Sequence, residues 1–114
     1  MNCCNPYFHK STALTASETA VEITVTNSTN ISSLDCFEFV LCQCPSDVVT
    51  GEPLPFTINI NGTAVNLLNK YSLPIYTNRL KPRKRYFGAY VEPATGDPYV
   101  ILFNTPCDPQ FATA

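Results

Sequence analysis

Charge is scarce in this chain: Asp, Glu, Lys and Arg make up 14% of its 114 residues, against about 25% in ordinary soluble domains. A surface so short of charge either relies on Ser, Thr and Asn for solubility, and the chain is rich in all three, or is covered by neighbours. Histidine is nearly missing. The single imidazole, His9, leaves little for general acid–base work and only one base for a cysteine nucleophile. No G-x-S-x-G elbow, phosphate-binding glycine loop, H-E-x-x-H pair or EF-hand loop occurs. The nine acidic residues form no cluster of the paired-carboxylate kind. These absences argue against an enzyme, and no cofactor is expected. No run approaches the roughly 18 apolar residues of a membrane-spanning helix. The start, MNCCNPYFHK, lacks the basic residues and apolar run of a secretory signal, so synthesis in a cytosol is expected. The sequons at Asn27, Asn30 and Asn61 then read as turn chemistry, not glycan sites.

What is present is β structure. Hydrophobic residues are 45% of the chain, enough for one globular domain and too many for disorder. No stretch reads as a helix. Val21, Ile23 and Val25 alternate with Glu22, Thr24 and Thr26, as in a strand with one wet face. Asn27 to Asn30 breaks the pattern as a turn. Cys36–Cys44 is a second strand with Phe37, Phe39 and Leu41 on one face. After a loop from Pro45 to Pro55, Phe56, Ile58 and Ile60 lead into Asn61-Gly62. That dipeptide between alternating segments predicts a tight hairpin, because both central positions of a type I′ turn need positive φ. Ala64 to Leu68 returns. Leu73 to Tyr76 is expected as a short edge strand, since Pro74 has no donor for a central ladder. Arg85 to Val91 and Pro98 to Phe103 form another hairpin.

About seven short strands with turns roughly every 8–12 residues predict an all-β fold, an antiparallel sandwich or small barrel of jelly-roll or Ig-like type. Residues 1–19 show no period and are expected as an extended N-terminal arm, 20–105 as the β domain and 106–114 as an extended tail. Strand addition at an open sheet edge would be a natural way to hold the arm.

Two groups of residues stand out as candidate sites. Arg79, Lys81, Arg83, Lys84 and Arg85 hold five of the seven basic side chains; the cluster is +5 and the remainder, two basic against nine acidic, is −7. Such a dipole suits contact with an acidic patch on another protein subunit. A solvated, edge-blunting role competes with that. Nucleic acid is disfavoured by a pI near 5.2. The six cysteines are the second group. Cys42-x-Cys44 is too closely spaced for a zinc knuckle, so no metal is expected, and Cys36 and Cys42 read as small apolar strand residues. Cys3, Cys4 and Cys107 lie near the ends and are candidates for disulfides between subunits.

The segment LLNKYSLPIYTNRLKPRKRYFGAYV and the hairpin PATGDPYVILFNTPCDP that follows resemble small structural proteins of phages and prophages of gut Firmicutes. That resemblance implies a capsid decoration or other virion component, made in the host cytoplasm and bound to a protein lattice. A second, architectural resemblance is to endospore appendage subunits of bacilli, in which an N-terminal Cys-Cys connector precedes a jelly-roll domain with a further cysteine near its end. Cys3-Cys4 and Cys107 match that layout, and it implies an extracellular or spore-surface filament cross-linked by disulfides. An adhesive or carbohydrate-binding sandwich would need an exposed aromatic platform, for which Tyr71, Tyr76 and Tyr86 are the candidates. In each case the expected partners are protein subunits of the same or a neighbouring kind, or a glycan, with no membrane involved.

Overall fold

The computed structural model of the chain describes residues 7–27 and 29–104. Among these, seven strands form: β1 (Tyr7–Ala16), β2 (Val21–Val25), β3 (Cys36–Val40), β4 (Phe56–Ile60), β5 (Thr63–Leu68), β6 (Arg85–Val91) and β7 (Tyr99–Leu102). A single 3-10 turn, Pro45–Asp47, is the only helical element among them. The strands are bonded in the order β1-β2-β4-β5-β7-β6-β3, and β3 pairs with β1 to close the ring. The fold is an all-β closed barrel. Its pairing is mixed: β1–β3, β2–β4 and β5–β7 run parallel, and the other neighbours antiparallel.

Period-two alternation fills the inside of that ring. Val21, Ile23 and Val25 point inward from β2, Phe37 and Phe39 from β3, and Phe56, Ile58 and Ile60 from β4. Val65 and Leu67, Tyr86 and Tyr90, and Val100 and Leu102 complete the core from β5, β6 and β7. Burying each such side chain contributes about 1.5–3 kcal/mol before entropy is counted. Gly88 lies between Tyr86 and Tyr90 in the inward row of β6, and a Cβ there would overlap the Ile101 carbonyl of β7. Glycine is what lets those two strands approach.

The Asn61-Gly62 turn forms as its chemistry predicts, with φ of 54° and 85°, and it sets the register Ile60 to Thr63 and Ile58 to Val65. The start of the chain corrects an expectation. Residues 7–16, placed in an arm by their lack of period, are the longest strand of the barrel. Residues 7–10 of β1 pair with β3, the later ones pair with β2, and the register slips between Ser11 and Ala13. A bulge of this kind bends a strand and lets it change partners. The inward residues there are polar, His9 and Ser11, both buried. A broken register and a polar inner face together erase the hydrophobic alternation.

Closure also removes the open edge that strand addition required. Leu73 to Tyr76 is no edge strand; it makes only isolated bridges, Leu68 to Pro74 and Pro55 to Tyr76. The second strand ends at Val40, short of Cys44.

Strand directions sort the loops onto two ends. Following the pairings around the ring, β1, β3, β5 and β7 point one way and β2, β4 and β6 the other. The connections 17–20, 41–55 and 69–84 therefore share one end, and 26–35, 61–62 and 92–98 share the opposite end. Cross-loop bonds agree: Arg83 N–H donates to the Leu41 carbonyl (2.8 Å) at the first end, and Leu34 N–H to the Tyr90 carbonyl (2.6 Å) at the second.

Candidate interaction surfaces

The basic cluster lies on the first end. Its members run through the connection into β6, and Arg85 is the first residue of that strand. The loop is held from beneath. Leu80 is buried, the Tyr86 hydroxyl accepts the Lys81 N–H at 2.8 Å, and Arg79 N–H donates to the Tyr76 carbonyl. Arg83 adopts a left-handed φ of 67°. Burial raises the Tyr86 phenol pKa, outweighing the Lys81 bond that lowers it, so the ring stays neutral beneath the cations. Lys84 Nζ sits 5.6 Å from the centre of that ring. Lys81, Arg83 and Lys84 remain exposed. Arg85 turns to the side, its exposed guanidinium 3.5 Å from the half-buried Glu38 carboxylate on β3. In a closed ring the cluster has no sheet edge to blunt.

The opposite end carries Asp35, Glu92 and Asp97 in loops 26–35 and 92–98, with no Lys or Arg among the described residues of its three loops. Here Leu34 is held at φ 73° while 57% exposed. A leucine in the left-handed region costs roughly 1–2 kcal/mol, and bonds on both sides hold it there. Asp35 N–H donates to the Ser32 carbonyl, Asp35 Oδ2 accepts the Ser32 N–H at 2.8 Å, and Ser33 Oγ accepts the Glu92 N–H at 2.9 Å. Sequence reasoning did not find this residue, because a lone leucine between Ser33 and Asp35 carries no period.

The flanks differ from one another. Outward residues of β2 and β4 are polar, and Asn59 donates to Glu22 across them at 3.0 Å. Outward residues of β7 and, beyond Arg85, of β6 are largely apolar. The registers line up Leu68, Ile101, Ala89 and Cys36 across four strands. Beside that row Phe87 and Phe103 meet edge to face at 6.4 Å, each 48% exposed. Phe87 follows the buried Tyr86 along β6. Strict alternation sends it outside.

The cysteines divide. Cys3, Cys4 and Cys107 lie outside the described residues. Cys36 is disulfide-bonded, and Cys42 and Cys44 are free and exposed. Both depart from the reading as small apolar strand residues: Cys36 is bonded and not a free thiol, and Cys42 is exposed because β3 has ended and Ser11 on β1 takes over the alignment. The Ser11 hydroxyl accepts the Cys42 N–H at 2.7 Å and donates to Gln43 Oε1. Gln43 is thereby drawn inward between two outward thiols. Of the three tyrosines proposed as a platform, Tyr71 is 56% exposed and Tyr86 is buried.

His9 is sealed in the barrel wall, stacked on Phe37 with ring centres 4.4 Å apart and hydrogen-bonded through Nδ1 to the Thr26 carbonyl. Desolvation lowers its pKa, opposed in part by that bond. A neutral, enclosed imidazole of this kind is a core residue. Among the described residues no group of three or more His, Cys, Asp or Glu side chains could hold a metal ion. No family model, curated protein or solved structure matches the chain.

Proposed function

We propose that this protein is a non-enzymatic building block whose task is to contact other protein subunits, and that its setting is a virion, as a capsid decoration or auxiliary protein. The observation that carries this is the apolar outer flank of β6 and β7. Among the described residues the filled core makes no use of the exposed Phe87 and Phe103 or of the half-buried Leu68–Ile101–Ala89 row beside them, and clustered exposed apolar residues mark interaction surfaces. The barrel serves the role that jelly-roll or Ig-like domains serve in such assemblies: a rigid body carrying contact surfaces on its outside. The cationic end adds a second surface suited to an acidic neighbour.

The alternative is a disulfide-cross-linked filament of the extracellular or spore-appendage kind. It is favoured by the exposed thiols of Cys42 and Cys44. A glycan-binding module has only Tyr71 in its favour.

Light scattering on the purified protein across a concentration series, with and without reductant, tests these readings. Large polymers that dissolve on reduction would establish the filament and overturn the virion reading. A species indifferent to reductant, and small at low concentration, is expected for a decoration protein. It should then co-sediment with assembled capsid shells, and Phe87→Ser should weaken that binding about tenfold or more, as loss of an aromatic anchor does. Binding untouched by Phe87→Ser and Phe103→Ser would remove the flank from the proposal.

A further inference from the structure

Each end of the barrel pairs one shaped apolar feature with a net charge, acidic at one end and basic in excess at the other, and the net charges are complementary. On one end Leu34 projects in its left-handed conformation beside Asp35, Glu92 and Asp97. On the other, Pro45, Val49, Pro53, Thr77 and Asn78 line an open cleft of about 130 Å³. That is close to the roughly 150 Å³ of an engineered core cavity that binds a small apolar ligand. Lys81, Arg83 and Lys84 are exposed on the same end as the cleft. Glu18, Asp47 and Glu52 also lie there, so its positive excess comes from Lys70 and the 79–85 cluster.

We propose that copies of this chain stack head to tail, with Leu34 of one copy seated in the Pro45–Asn78 cleft of the next and the charged rims paired around it. This rests on the building-block reading above and supplies one of its contacts. An apolar centre inside a polar, charged rim is the usual anatomy of a protein contact. Because the two surfaces differ, the contact is heterologous: it propagates along an axis unless the rotation per copy closes a ring. The strain at Leu34 has a use here, since a residue held off its preferred conformation by the surrounding bonds is already placed for docking. The flank of β6 and β7 faces sideways and stays open for a different neighbour.

The test is sedimentation velocity at low and high salt, with thermal unfolding as the check on folding. Wild type is expected to self-associate with rising concentration, and less so as salt screens the rims. Leu34→Asn keeps a residue that tolerates positive φ while removing the apolar knob, and should weaken association about tenfold or more. The double variants Glu92→Lys/Asp97→Lys and Arg83→Glu/Lys84→Glu should each stay monomeric alone. Mixed in equal amounts they should associate, because every contact between unlike copies is again between opposite charges. A wild type that remains monomeric up to about 1 mM, the weak end of specific association, overturns the stacking and leaves lattice binding by the flank standing. Association that survives the end variants but is lost in Phe87→Ser overturns it in favour of the flank.

Discussion

Replacing Gly88 by alanine would put a methyl group where the Ile101 carbonyl already sits, so β6 and β7 would have to part. Gly88→Ala is expected to cost about 3 kcal/mol or more, read as a lowered denaturant midpoint with an unchanged slope. His9 supplies a pH-dependent counterpart. Its folded-state pKa lies below the value of about 6.5 expected in the unfolded chain, so the unfolded chain binds the proton more readily. Stability should therefore be complete above about pH 6.5 and fall as pH drops below it, by at most about 1.4 kcal/mol per pH unit. Unfolding at a series of pH values between about 7.5 and 5 measures this, and His9→Phe should flatten the slope. A slope unchanged by that substitution would show that other groups carry it. At this scale the legible residues were those with local chemistry: Asn61-Gly62 can do little but turn. His9 was not legible, because one histidine near the start of a chain looks the same whether it is solvated or walled in by strands more than 15 residues away.

Elements were legible where one face met the core and the partner was close in sequence. β2, β4, β5 and β6 follow from alternation alone. β1 does not, since its inner face is His9 and Ser11 and its partners change at the bulge. Side-chain amides extend two elements beyond what any periodicity shows. Asn104 acts as an added rung of the β6–β7 ladder, accepting the Phe87 N–H at 2.9 Å and donating to the Arg85 carbonyl at 2.8 Å. Buried Asn69 accepts both the Tyr71 and Leu73 N–H groups and so shapes the bend after β5. Asn104→Ala should cost about 1–2 kcal/mol and speed amide exchange at Phe87 with little change at Tyr90. Equal acceleration at both amides would mean that the loss is global and that the rung is not local.

For the whole molecule, the sequence showed that charge was lopsided but gave no axis to it. The +5 segment faces away from Asp35, Glu92 and Asp97 only because strand directions send 69–84 to one end and 26–35 and 92–98 to the other. Glu18, Asp47 and Glu52 stay on the basic end and reduce its excess. Closure itself was open between sandwich and barrel, because the pairing that decides it joins β1 to β3 across some 30 positions. The ladder of β3 with β6 spans further still. A ring built from such distant pairings should fold slowly, on the millisecond-to-second scale, and stopped-flow refolding should show it. Microsecond refolding would mean that the ring is not closed in the rate-limiting step.

The split of β1 between two partners has a mechanical consequence. β1 begins at the acidic end and β7 runs out at the cationic end, so tension between Tyr7 and Asn104 pulls along the strands. The hydrogen bonds of β1 to β3 and to β2 are then loaded in shear, all at once, rather than unzipped one by one. A barrel gripped in this way should resist pulling well beyond what its modest size suggests. In a particle under internal pressure or a fibre under drag, that resistance would matter more than equilibrium stability.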